Sequence, residues 1–281
     1  MAAISESAGS VEAARLRAVA LDLRRKMIQQ ARGKGQGYLG QGLGFADFLA
    51  VLYFHEFTAD DLDFARAERR RFYLSIGHYS IALWAALAEL GIIDPATLPS
   101  YGADGSPLEM STMEGHIPGV EMTGGSLGHG LGIATGAALG YRLDGRRSAI
   151  HVGISDGELQ EGSTWEAANT AASFRLDNLV AWIDCNGIQA DGPMVVNIEP
   201  VTGRFEAFGW AVREIDGNDI GQLLQAFAWA RERAKRPKAV VMRTTPGCGV
   251  RRIEQRDRAH FVRIDADEWD AVEQELEIEN D

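Results

Sequence analysis

The chain of 281 residues is poor in cysteine, in basic charge and in long apolar runs, and each shortage excludes a class of protein. Two cysteines, Cys185 and Cys248, make neither a disulfide framework nor a four-ligand zinc site, so a reducing compartment is expected. Lys and Arg number 28 against 40 Asp and Glu, a formal charge of −12 that argues against a sequence-independent grip on nucleic acid or an anionic membrane. Nine of the acids crowd into residues 265–281, which hold no Lys or Arg. The most apolar candidate for a membrane span, residues 126–143, carries His129 and five glycines and fails on hydrophobicity. No basic segment followed by an apolar one opens the chain, so no secretory signal is expected. The default is a cytoplasmic protein with neither nucleic acid nor membrane as partner.

What is present is a globular composition, 46% hydrophobic and 24% charged. Glycine is abundant, 32 residues or about 11% against a usual ~7%, which suggests backbone packed close to a ligand or to another backbone. Ser10 can cap a helix over 11–32, with Leu16, Val19, Leu23 and Met27 at helical spacing. The glycine-rich stretch 33–44 stops it, and a second helix is expected over 45–57. Within that stretch GQGYLG (35–40) matches G-x-G-x-x-G, but the dinucleotide fingerprint needs a preceding strand and here a helix precedes.

Residues 71–75 read as a short buried strand and 79–90 as an apolar helix, with His78 at the junction. Periodicity is lost over 91–121, a long loop of the kind that is usually functional or disordered. Gly128, Gly132, Gly136 and Gly140 then recur every four residues along a helix, a stripe suited to close approach of another helix or subunit. Runs 148–154 and 179–184 are of strand length, and STWE (163–166) reads as a capping box opening a helix to about Phe174. Together they form a βαβ unit. Further elements at 205–215, 219–234 and 239–243 extend it. The expected fold is α/β, a three-layer α/β/α domain with a predominantly parallel sheet, single over 1–281 and ending in the acidic segment 265–281.

In open parallel sheets, ligands bind beyond the carboxyl ends of the strands. Both strands of the βαβ unit end there in hard oxygen donors: Asp156 offers a carboxylate, Asn186 an amide oxygen, and Ile188 its carbonyl. Three such oxygens suit Mg²⁺ or Ca²⁺ completed by ligand phosphates and water. Asp-Gly and Asn-Gly are also ordinary turn dipeptides, and the pairing across one βαβ unit is what favours a metal.

The run SDGELQEG (155–162), with Asn186 thirty residues after Asp156, resembles the thiamine-diphosphate motif in its transketolase form. LSIGH (74–78), GH (115–116), PGVEMTGGSLGHG (118–130), FEAFGW (205–210) and IDG (215–217) are similar to the wording of the same family, so the resemblance covers about 11–260. It implies a thiamine-diphosphate-binding domain in which Asp156, Asn186 and the Ile188 carbonyl hold Mg²⁺ and Gly157 approaches the diphosphate. Gly125, Ser126 and Leu127 would line the cofactor, with Glu158 and His78 in the same binding set. Glu161 matches the glutamate that links two active sites across the family's dimer, and a helix-terminal acid is its plain alternative. His78, His116 and His260 align with active-site histidines that shuttle protons and orient a donor hydroxyl. His55 and His151 read as structural, and His129 stands where the family has glutamine.

The departures carry their own expectations. Tyr38 stands where a substrate-contacting histidine is usual, Ser155 replaces the first glycine of the motif, and the loop at His116 is short. The resemblance further implies a pyrimidine-binding domain whose glutamate activates the cofactor, and none follows on this chain. A separate C-terminal subunit is therefore expected, in an α2β2 heterotetramer, acting on sugars or sugar phosphates by two-carbon transfer. The alternatives are an E1-α-like component of a 2-oxoacid dehydrogenase or decarboxylase, a specialised two-carbon transferase of secondary metabolism, and a non-catalytic assembly subunit.

Overall fold

Helix α1 (Ala2–Lys34) opens the chain in the computed structural model, which describes residues 2–190 and 192–278, with side chains from residue 9 onward. The helix expected over 11–32 lies within it, and Leu16, Ala20, Leu23 and Met27 form its buried face. The second helix, α2 (Leu39–Val51), begins six residues earlier than expected and ends in a π turn, Leu52–Glu56. Glycine is a poor helix former, but close packing decides here. A Cβ on Gly40 would lie 2.0 Å from the Ala259 carbonyl oxygen, and one on Gly44 would lie 2.7 Å from that of Thr245. Each residue of α2 is buried, and the glycine run is a helix pressed against backbone rather than a loop.

Five strands form one parallel sheet: β1 (Arg71–Leu74), β2 (Ile150–Ser155), β3 (Leu179–Cys185), β4 (Ala211–Asp216) and β5 (Lys238–Arg243), in spatial order β1-β2-β3-β5-β4. Side chains alternate across it with the strand period of two. Val180 and Trp182 of β3 face one core with α1, α2 and helix α3 (Ser80–Glu89). Leu179, Ala181 and Ile183 face the other, with helices α4 (Gly130–Leu143), α5 (Gly162–Ser173) and α6 (Val201–Ala207). Helix α7 (Ile220–Arg231) joins the first side, capped by Asp219, whose Oδ1 accepts from the Gln222 N–H at 3.1 Å. The acidic segment forms α8 (Trp269–Ile278), which packs Trp269, Val272 and Leu276 on the first core, and residues 279–281 lie outside the described residues. The three-layer α/β/α architecture is as the alternating elements predict.

Several local expectations differ. Helix α5 starts at Gly162, not behind a serine cap, because the Ser163 hydroxyl donates to the Gly128 carbonyl at 2.9 Å instead. Gly128 lies outside α4 with a positive φ of 85°, and Gly132, Gly136 and Gly140 have open space where a Cβ would stand. The close approach that their spacing suggests is not made at these three glycines among the described residues. A buried ion pair, Arg24 to Asp47 at 2.5 Å, ties α1 to α2, and Asn218 after β4 donates to the same carboxylate at 2.9 Å.

Candidate functional site

The carboxyl ends of β1, β2 and β3 stand side by side, with Leu74 opposite Gly153 and Ser155 opposite Asp184. Past these ends the chain turns sharply at 75–78, 156–157 and 186–187, and the turns wall a cavity of about 420 Å³. Asp156 lies at its base, 2% exposed. Its Oδ1 accepts from the Gly157 N–H at 2.8 Å and its Oδ2 from the Gly187 N–H at 2.7 Å, so both flanking turns fix the carboxylate. Burial, and then the neighbouring Asp184 carboxylate, push its carboxyl up to about 7. Two carboxylates, Asp156 and Asp184, thus lie buried as neighbours at the strand ends.

Asn186 is oriented by its amide nitrogen, which donates to Tyr79 Oη at 2.8 Å and Asp184 Oδ2 at 2.9 Å. Its Oδ1 takes the Ile188 N–H at 3.0 Å, an assignment that rests on this hydrogen-bond network. Asp184 itself is fully enclosed, accepting from Tyr79 and Thr244 hydroxyls as well. Among the described residues no three His, Cys, Asp or Glu side chains gather as a metal cluster. The donors here are instead one carboxylate, one amide oxygen and one carbonyl, all on the cavity wall at Asp156, Asn186 and Ile188. No Lys or Arg is among the described residues that line this cavity.

Above the oxygen donors, Tyr38, His78 and His260 form an aromatic wall. The His78 ring centre lies 4.9 Å from that of Tyr38 and 5.0 Å from that of His260, and Phe261 closes on Tyr38 at 4.9 Å. Burial, reinforced by His260, holds His78 down at about 3, so its imidazole is neutral at neutral pH. His260 reaches the wall because 262–263 pair as an antiparallel bridge with 36–37, bringing the two ends of the domain together.

The sequence-derived residues divide by position. Gly125, Leu127, Asp156, Gly157, Glu161, Asn186, Ile188, His78 and His260 all line the cavity. Ser126 does not, and its carbonyl faces His129 at 3.1 Å. His116 is also absent from the lining, half-exposed and 3.5 Å from Glu109. Glu158 points inward, where its carboxylate accepts from Ser75 Oγ and from the Gly128 N–H at 2.9 Å and holds the two cofactor-side loops together. Spacing alone does not reveal Tyr79, Thr244, Gln160 or Gln189, whereas Asp184 is visible in the sequence as an acid at the end of an apolar run.

Comparison with known proteins gives this geometry a family. The profile described as "Transketolase, thiamine diphosphate binding domain" matches residues 10–281. A putative uncharacterized transketolase family protein of Sinorhizobium fredii is 51% identical over 250 residues, 88% of this chain and 90% of its own. An apulose-4-phosphate transketolase subunit of Actinobacillus succinogenes is 36% identical over 260 residues, 92% of this chain and 94% of its own. Among solved structures, transketolase from Campylobacter jejuni superposes with a TM-score of 0.84 at 27% identity, over 94% of this chain and 42% of that one. This chain thus spans about two-fifths of that longer transketolase. Nothing in these matches favours the E1-α alternative. The chain belongs to the transketolase family of transferases, as its thiamine-diphosphate-binding domain.

Proposed function

We propose that this chain is the cofactor-binding subunit of a two-chain transketolase. It holds thiamine diphosphate through Mg²⁺ on Asp156, Asn186 and the Ile188 carbonyl, and with a second subunit it moves a two-carbon unit from a ketose to an aldose. One observation carries the metal: among the described residues no Lys or Arg lines the cavity that must meet a diphosphate, while Asp156, Asn186 and Ile188 place oxygen donors on its wall. Asp156, Asn186 and the Ile188 carbonyl would hold a divalent cation there, and its charge would offset that of the carboxylate and the diphosphate. When bound, thiamine diphosphate supplies a nucleophilic carbon that breaks and makes the bond next to a ketose carbonyl.

This chain's residues do the rest on their side. Gly157 offers bare backbone to the diphosphate, and Gly125 and Leu127 line the cofactor. His78, neutral and walled by two rings, can orient a substrate hydroxyl by a hydrogen bond at a ring nitrogen without carrying charge in a buried place. Tyr38 replaces an imidazole there by a phenol, which supports a specialised donor rather than ordinary pentose phosphates.

The partner rests on a relative of matching length that is named as one subunit of its transketolase, and on Glu161, which lines the cavity and is exposed, as a residue that meets a second chain would be. The assembly is an α2β2 heterotetramer whose second subunit brings the pyrimidine-binding domain. Two cysteines present as thiols, one buried beside Asn186, suit the cytoplasm. To test the reaction, combine the chain with a pyrimidine-binding subunit, a ketose phosphate and an aldose, and analyse the products. The expected outcome is two-carbon transfer without CO₂; no transfer here, with release of CO₂ when a 2-oxoacid replaces the sugars, would establish the E1-α reading instead.

A further inference from the structure

At the opposite ends of the same three strands lies a second cavity, of about 450 Å³. Arg69 and Arg70 stand before β1, residues 147–149 before β2, and Asp177 and Asn178 before β3, so the amino-terminal ends of adjacent strands wall it as their carboxyl ends wall the first. Six arginines line it against five carboxylates. Most are paired: Arg70 with Asp61 and Glu56, Arg231 with Glu56, Arg233 with Asp177 at 3.0 Å. The exposed side chain of Arg147 makes no ion pair among the described residues.

Three of the buried polar side-chain atoms that find no partner among the described residues belong to this cavity's lining: His151 Nε2, Arg69 Nε and Asn178 Oδ1. His151 is 2% exposed, and its Nδ1 accepts from Trp182 Nε1 at 3.1 Å. Its proton is therefore on Nε2, as an unmet donor. Burial, and then Arg70, hold this imidazole down at about 3, so it stays neutral. Arg69 spends its other nitrogens on Glu121 and the Arg70 carbonyl, which leaves its Nε–H. Asn178 donates through Nδ2 to the Ala138 carbonyl at 2.9 Å, which leaves Oδ1 as an unmet acceptor. Buried polar groups left unmet in this way are costly and uncommon. Two donors, one acceptor and an unpaired guanidinium on one cavity describe a complementary ligand.

We propose that this cavity binds a small oxyanion that also carries a hydroxyl, such as a phosphorylated or carboxylated polyol. The acid group would sit toward Arg147 and the His151 N–H, and the hydroxyl would donate to Asn178 Oδ1. The site is separate from the cofactor cavity and does not depend on the reaction assigned to it. The test is calorimetric titration of the full chain with sn-glycerol 3-phosphate and with inorganic phosphate, without thiamine diphosphate. Saturable binding of one glycerol phosphate per chain is expected, tighter than inorganic phosphate. It should weaken about tenfold or more in the double variant Arg147→Ser, Arg233→Ser and persist in Asp156→Ala. His151→Phe should weaken it as well; if that core change unfolds the chain, the surface arginine pair decides. Absence of saturable binding, indifference to the arginine pair, or a crystal structure with the probe present that shows only water on His151 Nε2 and Asn178 Oδ1 would overturn the proposal.

Discussion

In the proposed reaction His78 is the side chain of the cofactor cavity that orients a substrate hydroxyl. Two rings at about 5 Å, Tyr38 and His260, hold its imidazole in place, and burial keeps it neutral. In the reconstituted enzyme His78→Ala should lower turnover by about 10²-fold or more while the melting temperature and thiamine diphosphate affinity change little. Unchanged turnover would remove it from the reaction. Asp156 and Asn186 are legible in the amino-acid sequence, because turn dipeptides at the ends of paired strands place hard donors together. Tyr79 and Thr244 are not, since their only link to the site is a shared acceptor, Asp184, reached from distant parts of the chain. His116 and Ser126 carry the family wording but are not among the residues that line the cavity.

Asp61 makes a separate, acid-side prediction. Burial alone would raise its carboxyl, but hydrogen bonds from the Arg70 guanidinium and from Thr58 and Arg70 N–H groups outweigh it and hold it at about 2. A carboxyl whose folded value lies below its unfolded one stabilises the fold above the unfolded value and loses that contribution as pH falls toward the folded one. Stability measured by urea denaturation should therefore fall between about pH 4 and pH 2, and Asp61→Asn should flatten that slope. An unchanged slope in the variant would mean that the carboxylate contributes nothing to it.

At the scale of elements, glycine has two opposite roles. In α2 it permits contact: Gly40→Ala would drive a methyl into the Ala259 carbonyl and should cost about 2 kcal/mol or more. In α4 it faces open space: Gly136→Ala should stabilise the isolated chain by about 0.5–1 kcal/mol through helix propensity alone. Denaturant titrations of the two variants should move their midpoints in opposite directions, and a shared direction would contradict the packing described. The strands and most helices can be read from periodicity. The start of α2 cannot, because its glycines argue locally for a loop and only the backbones packed on Gly40 and Gly44 reveal the helix.

At the scale of the whole molecule, the three-layer order and the parallel sheet follow from alternating elements and are fully legible, while the meeting of residues 36–37 with 262–263 that brings His260 to Tyr38 is not, since no local pattern encodes so distant a pairing. The fold leaves its cofactor cavity open at a rim marked by Glu161, and it places there a metal-type donor set without a balancing cationic side chain. Isothermal titration of the chain and its partner subunit with thiamine diphosphate at fixed Mg²⁺ tests this most directly. Asp156→Ala with Asn186→Ala should weaken binding by about 100-fold, with no loss of fold. Binding as tight as that of the parent would contradict the assignment of the cofactor site.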